Sequence, residues 1–138
     1  MYYAVIDTNV IVSSLFTKNK EAATVKILEK VFDGTIKPVL HDKIVAEYEE
    51  VLSRKEFPFS KESIEIVINA IKDNALYFGG IPSDDQVSDP KDVIFYEVVL
   101  DARKSYGTYL VTGNIKDFPT RPFIVTPREM LEIIEKGA

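Results

Sequence analysis

Tyr2 to Ile6 reads YYAVI, an apolar run that ends abruptly at Asp7, as expected of a strand covered on both faces. Residues 8–16 then predict a short helix. From about 20 to 33, Ala23, Val25, Ile27, Leu28, Val31 and Phe32 recur near helical spacing until Asp33-Gly34 stops them. IKPVL (36–40) predicts a second strand, and Asp42 stands where it could cap a helix carrying Ile44, Val45, Tyr48, Val51 and Leu52. FPFS (57–60) breaks the chain. Ser60 then caps a long helix reaching about residue 77, with an apolar face of Ile64, Val67, Ile68, Ile71 and Ala75. GGIPSDDQVSDP (79–90) is loop-like, and Asp89-Pro90 opens a further helix to about Arg103, with Pro90 in its first position. TYLVT (108–112) and PFIVT (122–126) predict a third and a fourth strand, and Pro127 to Glu135 a closing helix. No internal repeat, low-complexity tract or linker divides the chain, so one domain is expected over 1–138.

Strands separated by helical segments imply an α/β fold: three layers, α/β/α, around a central parallel sheet of four to five strands. Ligands of such sheets sit beyond the carboxyl ends of the strands. The chemistry is therefore expected just after Ile6, Leu40, Val111 and Val125.

Oxygen-bearing side chains stand at those places. Asp7 follows the first strand in Ile6-Asp7-Thr8-Asn9. Glu47 lies in the helix after the second strand, on the side of Lys43 rather than on the Ile44/Tyr48/Val51 stripe. Asp89 and Asp92 open the helix before the third strand, and Asn114 and Asp117 follow that strand in TGNIKD. Composition narrows what such a set could do. The absence of cysteine excludes disulfides and thiolate zinc sites, and a single histidine, His41, excludes a multi-histidine centre. Any metal would be held by oxygen, which selects Mg²⁺, Mn²⁺ or Ca²⁺. Two carboxylates ~4 Å apart repel by about 4 kcal/mol at an effective dielectric of 20, so a cluster of them takes up protons or recruits cations. A bound Mg²⁺ would remove that repulsion, polarise a phosphoryl oxygen and acidify a bound water, which suits phosphodiester hydrolysis.

Each acid also has a plainer reading. Asp89-Pro90-Lys91-Asp92 is ordinary helix punctuation, and Thr126-Pro127-Arg128-Glu129 repeats it where no chemistry is expected. Asp7 could cap the helix behind it, and Glu47 could be one more solvated helix acid. Only convergence at one sheet edge favours the chemical reading. The net charge of −5 argues against a broad basic nucleic-acid surface, so any such contact would be local or metal-mediated. No run approaches the ~20 apolar residues of a membrane span, and MYYAVIDTNV is not a signal peptide, so the expected compartment is the cytoplasm.

Taken together, VIDTNVIVSSLF (5–16), HDKIVAEYEEVLSR (41–54), DPKDVIFYEVVLDA (89–102), YLVTGNIKDFP (109–119) and IVTPREMLEII (124–134) resemble, in order and spacing, the PIN-domain family and its prokaryotic toxin-like branch. The resemblance spans nearly the whole chain and implies a Rossmann-like sheet. It implies a metal site of Asp7, Glu47 and Asp92, with Asn114 as a fourth position and Asp117 beside it. Thr112 would steady the site, Asn9 would orient Asp7, and Asp89 would support from the same helix start. Many members carry aspartate where Asn114 stands. The asparagine removes one charge and would weaken a second metal more than the first. The implied activity is an endoribonuclease using one or two Mg²⁺ or Mn²⁺ ions to hydrolyse RNA. The implied context is the toxin of a toxin–antitoxin pair, homodimeric and silenced by an antitoxin protein. Lys18, Lys20, Arg54, Lys116 and Arg121 are the candidates for a local positive field.

A second reading is a catalytically silent scaffold of the same fold that binds a protein partner. A receiver domain would want an acid pair after the first strand and a lysine after the last; Asp7 is single and Val125 is followed by Thr-Pro. A haloacid-dehalogenase-like phosphatase would want aspartate at position 9, which is asparagine.

Overall fold

All four strands expected from the apolar runs are present in the computed structural model, which describes residues 1–137, and a fifth joins them. The strands are β1 (Tyr2–Ile6), β2 (Ile36–Leu40), β3 (Leu76–Tyr77), β4 (Thr108–Val111) and β5 (Ile124–Val125). The helices are α1 (Thr8–Phe16), α2 (Ala23–Phe32), α3 (Asp42–Leu52), α4 (Lys61–Asp73), α5 (Val93–Ala102) and α6 (Pro127–Glu135). Every strand pair is parallel, in the order β3-β2-β1-β4-β5, and helices cover the sheet in a three-layer α/β/α arrangement. The chain moves outward from β1 to β3 and then returns to the other side of β1 at β4. The connectivity therefore reverses between β1 and β4, where open α/β sheets leave a crevice at the carboxyl ends.

The core explains the patterns. Ala4, Val5 and Ile6 of β1 are fully enclosed, as a central parallel strand requires. In α4, Ile64, Val67, Ile68 and Ile71 form one buried stripe at helical spacing. In α5, Phe95, Tyr96, Val98, Val99 and Ala102 are buried, and the helix packs against β1, β2 and β4. Tyr48 of α3 is buried whole, and its hydroxyl donates to the Ile6 carbonyl at the end of β1.

Three local expectations are corrected. The α3 cap is His41 rather than Asp42: its Nδ1 accepts from the Lys43 amide at 2.9 Å, and Asp42 takes the first helical position. The helix capped by Ser60 ends at Asp73 instead of reaching residue 77, because Leu76 and Tyr77 leave it to pair with Val39 and Leu40. The start of the helix at Pro90 is a tight 3-10 turn over Pro90–Asp92 before α5 begins. The brevity of β3 also accommodates a proline in β2. Thr35 O accepts from Tyr2 on the β1 side and Leu40 O from Phe78 on the β3 side. By alternation Pro38 turns its donor-less nitrogen toward β3, which begins only opposite Val39.

Candidate active site

At the crevice beyond β1 and β4, the Asp7 amide donates to the Val111 carbonyl at 2.9 Å, continuing the sheet one residue past Ile6. Asp7 is also the residue that precedes α1, yet its carboxylate makes no cap bond. It turns sideways instead. Thr112 Oγ1 donates to Asp7 Oδ2 at 2.7 Å, and Asn9 Nδ2 donates to the same oxygen at 3.3 Å. The Thr112 hydroxyl in turn accepts from the Asn114 amide at 3.0 Å, and Asn9 Oδ1 accepts from the Gly113 amide at 3.3 Å. Two strand ends and the first turn of α1 are thus fastened through one carboxylate. Asp7 is only 5% exposed. Burial pushes its pKa above the usual carboxylate range, with the Asp117 and Glu47 charges adding to the rise; the Thr112 bond and the Thr8 amide oppose it.

A cleft of about 480 Å³ opens over this network and is lined by Asp7, Asp89, Asp92, Asn114 and Asp117 together with an apolar wall. Asp92 is half-buried, and burial raises its pKa to about 7, followed by the charges of Asp7, Asp89, Asp117 and Glu47. It sits at the end of the Pro90–Asp92 turn without making a cap bond. Asp89 is the acid that caps that turn, accepting from the Lys91 amide at 3.0 Å. Asp117 ends a second 3-10 turn, Ile115–Asp117, and its carbonyl accepts from the Ser88 amide at 3.0 Å, so the two acid-bearing loops are joined. The loop before Asp89 is anchored further by Asp85, which accepts from Tyr96 at 2.5 Å and pairs with Arg121 at 3.2 Å.

Glu47 stands apart from the other acids. It lines a neighbouring hollow with Lys43, Pro90, Lys91 and Glu97, on the Lys43 side of α3, and reaches the cleft only through its field on Asp7 and Asp92. Of the five candidate cations, Arg54 is paired with Glu50 at 2.9 Å and Arg121 with Asp85, while Lys18, Lys20 and Lys116 are exposed.

Among the described residues, no three His, Cys, Asp or Glu side chains stand close enough to hold an ion as they are placed. The donor chemistry nevertheless fits a hard divalent cation: it is all oxygen, comes from several chain segments, and includes two carboxyls whose pKa values are raised first by burial and then by the neighbouring acids. Thr8 adds to the fit. Its hydroxyl is buried beside the cleft with no hydrogen-bond partner. That orphaned hydroxyl and the wall of Val12, Phe16, Val51 and Phe57 were not foreseen from the sequence. The aromatic pair of FPFS was a signal for the wall, but it reads first as a chain break.

The PIN domain family model matches residues 3–116, most of the chain, and the chain belongs to that family. The matched span includes Asp7, Glu47, Asp92 and Asn114 and ends one residue before Asp117. PIN domains are in general nuclease-like, use divalent metal ions and bind RNA. Comparison with curated proteins and with solved structures gave no match.

Proposed function

We propose that this PIN-domain chain is a Mg²⁺- or Mn²⁺-dependent endoribonuclease, with Asp7, Glu47, Asp92, Asn114 and Asp117 contributing oxygen ligands. The observation that carries the proposal is the buried Asp7 at the β1/β4 crevice, held by Thr112 and Asn9 and lining one cleft with Asp92 and Asp117. A lone carboxylate buried this deeply is costly unless a cation or a proton neutralises it. A divalent cation bound there would polarise a phosphoryl oxygen and acidify a bound water.

The residues of the chain have distinct parts in this reading. Thr112 and Asn9 fix the plane of the Asp7 carboxylate through Oδ2. The Asn114 amide fixes the Thr112 hydroxyl, while the Asn114 side chain offers a neutral amide oxygen to the cleft. Burial and the neighbouring carboxylates raise the pKa of Asp92 to about 7, and a cation bound beside it would favour its ionised form. Glu47 adds field from the adjoining hollow and would have to turn toward the cleft to ligate an ion. Asp89 holds the turn that presents Asp92. The resemblance to the toxin-like branch supports one domain over 1–138 acting in the cytoplasm as a homodimeric toxin under antitoxin control. Among the described residues no helix is long and apolar enough to cross a membrane.

The test is incubation of the purified protein with a pool of structured and single-stranded RNAs in Mg²⁺, Mn²⁺ or EDTA, with Asp7→Asn in parallel. Loss of a residue that merely orients a metal ligand typically costs ~10–100-fold, so removing the central ligand should cost at least about a hundredfold. Cleavage should also vanish in EDTA. Cleavage that survives Asp7→Asn would overturn the assignment. Absence of both cleavage and metal binding would favour the second reading, a silent protein-binding scaffold. That reading draws on the neutral Asn114 and on the dispersed placement of the acids.

A further inference from the structure

Besides the acids, the cleft is lined by two aromatic rings from segments far apart in the chain, Phe16 and Phe57. Phe16 ends α1 and is 57% exposed. Phe57 and Phe59 flank Pro58 in the connection between α3 and α4, stacked on one another with centroids 5.5 Å apart and planes at 17°. Phe16 meets both edge-on, at 6.2 Å from Phe57 and 6.4 Å from Phe59. A ring this exposed gains little for the fold, and Phe16 and Phe57 line the same cleft as Asp7 and Asp92. Cations flank these rings in sequence, bounded by Glu21, Glu50 and Glu62. Residues 16–20 and 53–61 carry Lys18, Lys20, Arg54, Lys55 and Lys61 against one acid, Glu56, in a chain whose net charge is −5. Arg54 is partly neutralised by Glu50; the four lysines are exposed. An exposed ring in contact with two partly buried ones, flanked in sequence by cations and continuous with the acidic cleft, matches the chemistry that holds an unstacked nucleobase and its flanking phosphates.

We propose that Phe16 and Phe57, the latter supported by the stacked ring of Phe59, form a base-stacking subsite for a nucleotide next to the phosphodiester in the acidic cleft, with the flanking lysines holding its phosphates. The subsite rests on the nuclease reading for its position, but its occupancy is measurable without cleavage. A protein partner or a second copy of this chain could instead cover the rings. The continuity with the acids and the local excess of cations favour a nucleic acid.

The experiment titrates the full chain into a fluorescently labelled single-stranded oligoribonucleotide and follows anisotropy, in EDTA and again with Ca²⁺. A duplex of the same sequence and an abasic strand serve as competitors. Phe16→Leu keeps an apolar side chain at an exposed position and should weaken binding of the base-containing strand about tenfold, as expected for loss of one stacked base. Phe16→Tyr should restore it. The abasic strand should bind no better to wild type than to Phe16→Leu, and the duplex should compete poorly. Unchanged affinity in Phe16→Leu, equal competition by the duplex, or no binding by the wild type in either buffer would overturn the subsite. It would also be overturned if light scattering showed Phe16→Leu splitting an oligomer while RNA affinity stayed constant, since the rings would then be a protein contact. Intact stacking-dependent binding without metal-dependent cleavage would instead count against the nuclease reading alone.

Discussion

Two helix starts in this protein are written in nearly the same grammar and behave differently. Thr126-Pro127-Arg128-Glu129 opens α6, and Asp89-Pro90-Lys91-Asp92 leads into α5. At α6 the acid is fully engaged: Glu129 Oε1 accepts from the Thr126 amide at 2.8 Å, and Thr126 Oγ1 accepts from the Glu129 amide at 3.1 Å. Both groups satisfy amides that a helix start leaves without partners. Before α5 the first acid does the capping, and the second, one methylene shorter than a glutamate, makes no cap bond and remains in the cleft. Its burial beside Asp7 and Asp117 lifts its pKa to about 7. An acid that completes a local hydrogen-bond motif is structural. One left buried among like charges is available for a cation.

The sharpest way to break that contrast is to remove both acids in turn. Asp92→Asn should reduce metal-dependent RNA cleavage by about a hundredfold or more, while Glu129→Ala should leave it within about twofold. Comparable losses in the two variants, measured as initial rates at saturating Mg²⁺, would show that Asp92 acts only through the helix it precedes.

The pH dependence of stability gives a second, smaller separation. In the folded chain the pKa values of Asp7 and Asp92 are raised, that of Asp92 from 3.8 to about 7. Between those values the folded state binds more protons than the unfolded chain, so the favourable contribution is complete below about pH 4 and is lost as pH rises through about 7. In EDTA the Tm of the wild type should carry a downward component across that window, and Asp92→Asn should flatten it. Saturating Mg²⁺ or Mn²⁺ should remove most of it, because the ionised carboxylates are then compensated. Asp33 and Asp85 have lowered pKa values and act with the opposite sign at lower pH, so wild type and Asp92→Asn must be compared within one buffer series. Parallel profiles in EDTA would refute the special status of Asp92.

How much of this was legible beforehand follows from the range of each signal. Tyr2–Ile6 and Thr108–Val111 were readable because a buried parallel strand writes a continuous apolar run. Leu76–Tyr77 was not, since two residues carry no period and become a strand only through register with Val39 and Leu40. The helix start at His41 was misplaced by one residue because aspartate is the stronger capping type, whereas here the imidazole Nδ1 lies within reach of the Lys43 amide. The approach of Asp7, Asp92 and Asp117 could be inferred from strand order, because the carboxyl ends of parallel strands share one edge. The position of Glu47 beyond the Pro90–Asp92 turn depends on how α3 lies against that turn, which spacing along one helix does not encode. The wall of Phe16 and Phe57 was missed for a related reason: the two residues are about forty positions apart and meet only after the helices pack.

The smallest effect returns to the two helix starts and asks about stability alone. Glu129→Ala leaves the Thr126 amide without its partner and should cost about 1 kcal/mol, roughly 3 °C in Tm for a chain of this size. Asp92→Asn should do the reverse in EDTA at pH 7. It removes a charge disfavoured first by burial and then by Asp7, Asp89 and Asp117, and breaks no cap bond, so the metal-free protein should become more stable. Adding Mg²⁺ should narrow that gap by stabilising the wild type more than the variant. Two substitutions at matching positions of one sequence pattern would then move stability in opposite directions. If both lowered Tm by the same amount with and without metal, Asp92 would be a helix-start acid like Glu129, and the contrast between the two starts would have no functional content.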